Sequence, residues 1–303
     1  MFMAAVNQIL VLFIIMFIGV IAKKKNIINE TTEKSISTLL TKIGMPAMVL
    51  TSSSIAYSKE ILPNMLHILL ITIASYTAII AFGYLNSSLF KFEKNTSNVY
   101  ISLILFANVG FMGYPVARAL YGEIGVFYTS IANLVFSTMV WTYGILLYNS
   151  KGKLNFKSLI NIGTISSLLG ILLFLLQISI PGPLLSALDL TGRMTTPLSM
   201  LLIGAMIANV NIKELFSDWK IYWTSFIKLI AIPVATVFIL KLLNFNEIVI
   251  SICTIMAAMP AAATNAIFAK EFDVNPTFAS IGVFITTLLC IVTLPLMLYF
   301  LTI

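Results

Sequence analysis

Residues 106–115 read FANVGFMGYP, and they interrupt an apolar run that is otherwise long enough to cross a membrane as one helix. Gly and Pro are poor helix-interior residues, and the amide of Asn108 costs free energy in hydrocarbon unless something pairs with it. A second interruption, MPAAATNA at 259–266, lies in another apolar run. Non-helical backbone at bilayer depth is tolerated only where it is buried in protein or lines a wet cavity. The fold therefore turns on whether the two breaks form a pair.

The chain around them has 303 residues, 59% hydrophobic and 10% charged, where an ordinary soluble domain carries roughly a quarter charged residues. This is the composition of an all-α integral membrane protein. Its apolar runs are about 20 residues each, enough to span a hydrocarbon core of about 30 Å. They give ten transmembrane helices, at about 3–22, 35–54, 64–86, 97–119, 124–148, 158–178, 187–208, 220–241, 248–269 and 276–301.

The run from Met1 to Ala22 has no basic residue before it and no small-residue cleavage site, and Lys23, Lys24 and Lys25 follow it. That order predicts a retained first helix with its N-terminus outside the cell membrane. Ten spans return the C-terminus to the same side. Lys34, Lys91, Lys94, Lys151, Lys153, Lys157, Lys213, Lys220 and Lys270 then join the first cluster inside, and only Lys59, Arg118 and Lys241 face outward. The net charge of +7 is thus a topology signal spread over short loops, not a nucleic-acid surface. Cys253 and Cys290 lie within apolar runs, where thiols behave as small packing residues.

A constant offset of 151 pairs Gly19 with Gly170, Lys42 with Arg193 and Pro46 with Pro197, and it lays the fourth span over the ninth. This predicts two five-helix repeats, 1–150 and 151–303, joined by the short segment YNSKGKLNFK at 148–157. An odd number of spans per repeat makes the halves inverted, and paired breaks in inverted halves point to a transporter's midplane binding site. Half-helix N-termini each offer the equivalent of about +0.5 charge and unpaired N–H donors, which favour an anion. The candidate substrate-binding residues are Asn108, Val109, Gly110, Gly113 and Pro115 in the fourth span and Pro260, Thr264 and Asn265 in the ninth. Close helix packing at the glycines and simple proline kinks would explain either break taken singly.

All eleven acidic residues fall in loops or near span ends, so no mid-membrane carboxylate serves as an ion carrier. Three cations do fall inside spans: Lys42, Arg193 and Lys228. Snorkelling suits Lys42 and Arg193, a turn or two from their span starts. Lys228, two turns into the eighth span, suits either pairing with backbone carbonyls or balancing a bound anion. His67 reads as interfacial, and Trp219, Tyr222 and Trp223 as an aromatic belt. No metal-ligand cluster, nucleotide loop or nucleophile triad is apparent, so neither an enzyme nor a cofactor is expected.

NVGFMGYP at 108–115 resembles the Asn–Gly–Pro pattern in the fourth span of the auxin efflux carrier family, which includes plant auxin exporters and bacterial permeases for small dicarboxylates. FIGVIAKKKNIINE, KIGMPAMVL, LLIGAMIA and AAMPAAATNA also look like its bacterial members, so the resemblance covers essentially the whole chain. It implies broken helices four and nine that cross at the centre. It also implies a homodimer in which helices one, two, six and seven form a scaffold while the rest carry substrate as an elevator. Asn108 and the segment around Pro260 and Asn265 would hold a carboxylate, and Lys42 and Arg193 would lie on scaffold helices. The long cytoplasmic loop of the plant exporters is reduced here to a short linker, so dicarboxylates and other small organic acids fit as well as auxin. The expected function is secondary transport of a small organic anion. Two other readings remain: a sodium-coupled symporter of the bile-acid type, with a sodium site of neutral oxygens such as Thr264 and Asn108, and a membrane ligand sensor.

Overall fold

Asparagine or aspartate stands just ahead of five of the helices and caps them, its side chain accepting a hydrogen bond from a backbone N–H of the first turn: Asn29, Asn161, Asp218, Asn246 and Asn275. These caps satisfy donors that have no partner within the helix. A computed structural model describes residues 2–56, 58–149, 160–208 and 218–302. The linker lysines Lys151, Lys153 and Lys157, and Lys213, lie outside the described residues.

Helices occupy all ten apolar stretches. In chain order they are α1 Phe2–Lys24, α2 Glu30–Leu39, α3 Met45–Ser52, α4 Ile61–Leu89, α5 Lys94–Leu105, α6 Tyr114–Met139, α7 Ile145–Tyr148 and α8 Ile162–Leu175. There follow α9 Gly182–Arg193, α10 Thr195–Ile207, α11 Trp219–Phe226, α12 Ile232–Leu242, α13 Glu247–Ala258, α14 Ala263–Glu271 and α15 Pro276–Thr302. Six helical stretches are long and apolar enough to cross a membrane, and α8 and α13 are shorter apolar helices. Inside α6, Gly122 adopts φ 60°, ψ −144°. That conformation suits glycine alone, and it turns the chain between the fourth and fifth spans.

Several spans widen locally into π turns, at Leu40–Gly44, Val109–Gly113, Val140–Gly144 and Ile227–Ala231. Three of these end two residues before a proline: Pro46, Pro115 and Pro233. Proline supplies no N–H and its ring crowds the carbonyl four residues back, so the turn ahead of it opens. The break between α9 and α10, at Met194, lies three residues ahead of Pro197.

The chain folds as two compact units, each drawing on both sequence halves. The first comprises Met1–Leu66, Gly110–Leu134 and Ile160–Asn209. Within it α1 packs along α10, and α3 packs on α8 and α9. The α1–α10 contact is a backbone approach: a Cβ on Gly19 would strike the carbonyl of Leu201, and one on Gly204 would strike the carbonyl of Met16. Small residues of this kind let membrane helices meet closely.

The second unit comprises His67–Val109, Val135–Leu159 and Val210–Ile303. Its core is built around α5, buried continuously from Val99 to Leu105 and packed with Phe268 and Ala269 of α14 and Phe278, Ala279, Ile281 and Ile285 of α15. α13 is likewise buried from Val249 to Met256. Helices enclosed on every side can end inside a membrane, because protein rather than lipid surrounds their final carbonyls.

Candidate functional site

α5 and α13 both end abruptly inside the second unit. The α5 helix stops at Leu105, and Phe106 turns extended with φ −90°, ψ 96°. The α13 helix stops at Ala258, Met259 turns extended with φ −64°, ψ 145°, and α14 begins at Ala263. The two extended segments lie side by side as a one-residue antiparallel bridge between Ala107 and Ala261. The Asn108 N–H donates to the Pro260 carbonyl at 2.7 Å, and the Ala262 N–H donates to the Phe106 carbonyl at 2.8 Å. Each break thereby satisfies the backbone of the other, as a water-poor interior requires.

Three side chains complete the crossing. Asn265, 1% exposed, donates from Nδ2 to the carbonyls of Phe106 (3.2 Å) and Ala262 (2.9 Å), and its Oδ1 accepts from the Ser102 hydroxyl at 2.6 Å. The Thr286 hydroxyl of α15 accepts from the Ala261 N–H at 3.1 Å and itself donates to the Gly282 carbonyl at 2.7 Å. Sequence reasoning missed Ser102 and Thr286. The one available signal was a small hydroxyl residue in an otherwise apolar run, four residues before the Phe106 break in the case of Ser102.

The predicted site residues divide between the units. Asn108, Val109, Pro260, Thr264, Asn265 and Lys228 belong to the second; Gly110, Gly113 and Pro115 belong to the first. The fourth-span break also lies earlier than its glycines suggest. Phe106–Asn108 is the stretch outside the helices, while Gly110 and Gly113 sit in the π turn that follows it. The physical reason is that Pro115 can head the next helix, where a missing N–H costs nothing, and it opens the turn just before itself. Both donors of Asn265 are already engaged by carbonyls, so its first role in this geometry is to hold the crossing together. Ala263 and Thr264, at the start of α14, are half-buried, and in the same turn the Asn265 N–H donates to the Ala262 carbonyl at 3.0 Å.

Lys228 is buried, with 1% exposure, in the π turn Ile227–Ala231, which packs on α5, α13 and α15. Cys290 of α15 lies within electrostatic reach of it and directs its thiol at the Ala258 carbonyl, 3.7 Å away, where α13 ends. Lys42 is exposed in its own π turn. Arg193 is exposed and bonds Asp189 one turn back at 2.8 Å, and Asp189 also accepts from Arg118, which pairs with Glu123. The His67 ring meets Phe245 edge-on. Trp223 donates to the Asn86 side chain at 2.9 Å, so it is a structural anchor within the aromatic belt.

The sequence matches the membrane transport protein family over residues 4–157 and 150–298. It is 24% identical to an uncharacterized transporter of Methanocaldococcus jannaschii, MJ1031, over 94% of this chain and 95% of that one. It is 23% identical to an uncharacterized transporter of Methanothermobacter thermautotrophicus, covering 97% and 98% of the two chains. With the uncharacterized transporter YfdV of Escherichia coli K12 it shares 21% identity over 97% and 96%. A multi-pass helical chain that matches this family along nearly its whole length is a membrane transporter: it belongs to the auxin efflux carrier family of membrane transport proteins.

Proposed function

We propose that the protein is a secondary carrier for small organic anions, with carboxylate held where the fourth and ninth spans cross. The observation that carries this reading is the antiparallel bridge between Ala107 and Ala261. It keeps two helix interruptions at one place within a buried core, where continuous helices would otherwise be favoured. Asn108 and the first turn of α14, with Pro260 and Thr264, form the carboxylate cradle, and Asn265 holds its backbone in place through the Phe106 and Ala262 carbonyls. Val109 follows Asn108 in the same unit, Gly110, Gly113 and Pro115 belong to the π turn and helix start that continue the chain, and Lys228 balances the charge.

In this reading the two sequence halves are inverted repeats and transport proceeds by an elevator-type movement in a homodimer. The grouping of the first, second, sixth and seventh spans in one unit supports it. The segment Gly110–Leu134, which the elevator scheme would assign to the moving part, groups instead with that scaffold.

Counterflow in proteoliposomes with a panel of labelled organic acids tests the proposal. Exchange that survives replacement of sodium by choline is expected; strict sodium dependence would favour the symporter reading, and binding without exchange the sensor reading. Asn108→Ala should weaken anion affinity by about 5- to 150-fold, corresponding to loss of about 1–3 kcal/mol for a hydrogen bond to a charged partner. Wild-type affinity in that variant would remove Asn108 from the site.

A further inference from the structure

Lys228 is the one fully buried charged side chain among the described residues. No described carboxylate pairs with it. Those of the second unit, Glu93, Asp218, Glu247, Glu271 and Asp273, lie at helix ends or in turns and reach the surface at least in part. The elements packed against its π turn add no anion either. On α15 the ionisable groups are Cys290, a buried thiol within electrostatic reach, and Tyr299 near the exposed end. On α13 they are the Cys253 thiol and the exposed Glu247, and on α5 Lys94 at its exposed start and Tyr100, whose hydroxyl is given to Asn86 at 2.7 Å. The adjoining α11 and α12 carry Lys220, Tyr222 and Lys241, all at least partly exposed.

Among the described residues, the core that holds the crossing therefore contains one buried lysine amine and no carboxylate. We infer that the protein carries its substrate as a singly charged anion, with the Lys228 ammonium supplying the single compensating charge. The inference rests on the carrier reading above and narrows its substrate class. A monocarboxylate and Lys228 sum to zero. A dianion leaves one uncompensated negative charge in the core, and each such charge at bilayer depth lowers the population of the state about a hundredfold. A dicarboxylic acid should then be accepted only in its half-protonated form.

The test is counterflow in proteoliposomes, with pH equal on both sides and stepped through the titration of the second carboxyl of the dicarboxylates. Labelled lactate and indole-3-acetate serve as monocarboxylates, and malonate and succinate as dicarboxylates. Above that titration the dicarboxylate rate should fall about tenfold per pH unit, as the monoanion fraction falls, while the monocarboxylate rate stays level. Lys228→Arg, which keeps the charge, should retain this pattern. Lys228→Gln, checked to be monodisperse after purification, should lower monocarboxylate counterflow tenfold or more. A dicarboxylate rate that holds or rises as the dianion forms would overturn the inference while leaving the carrier reading intact. So would a Lys228→Gln protein with wild-type rates. Absence of counterflow with every acid would instead sink the carrier reading itself.

Discussion

Asn265 reaches across the crossing to Phe106, donating from Nδ2 to its carbonyl at 3.2 Å while its Oδ1 accepts from Ser102 one turn before the break at 2.6 Å. One amide thus ties α14 to the end of α5. Replacing it with alanine leaves the buried Ser102 hydroxyl without this acceptor and removes two bonds to carbonyls, and each buried polar group left unsatisfied costs about 1–3 kcal/mol. Asn265→Ala is expected to lower stability by about 2–4 kcal/mol, and thermal unfolding in detergent would measure it. An unchanged unfolding temperature would show that the crossing holds without the amide.

Pro115 heads α6 directly behind the π turn Val109–Gly113. Pro115→Ala restores an N–H and removes the ring, so the turn can close to ordinary α geometry and rotate the residues before it by part of a turn. Counterflow turnover should fall while folding and thermal stability hold. Turnover equal to wild type would mean that the π turn persists without the proline or has no part in transport.

The α1–α10 contact gives a sharper packing test. Gly204→Ala drives a methyl group into the carbonyl of Met16, whereas a Cβ at Gly182 has nothing within 4 Å. The first substitution is expected to destabilise by about 2–4 kcal/mol and the second to be near neutral. Equal yields and unfolding temperatures for the two variants would contradict the close backbone approach.

Lysine asymmetry predicts that Lys59 faces outward and Lys91 inward, and both are exposed. In a background lacking Cys253 and Cys290, an impermeant thiol reagent applied to intact cells should label Lys59→Cys and spare Lys91→Cys. The reverse pattern would invert the topology, including the two termini assigned to the outside.

What the sequence determined by itself was the membrane class, the ten helical stretches and the general position of both breaks. Those signals are local: an apolar run sets helix length against bilayer thickness, and a residue such as Asn29 or Asn246 caps the helix that follows it. Only the tertiary structure decided that Ala107 pairs with Ala261, that Ser102 and Thr286 serve the crossing, that Asn265 spends its donors on carbonyls, and that Lys228 is enclosed rather than at an interface. These depend on which groups meet across more than a hundred residues of chain in the case of Ser102 and Asn265. A single sequence carries the period and the breakers of each helix, but not the partner that satisfies a buried polar atom, because that partner is chosen by packing.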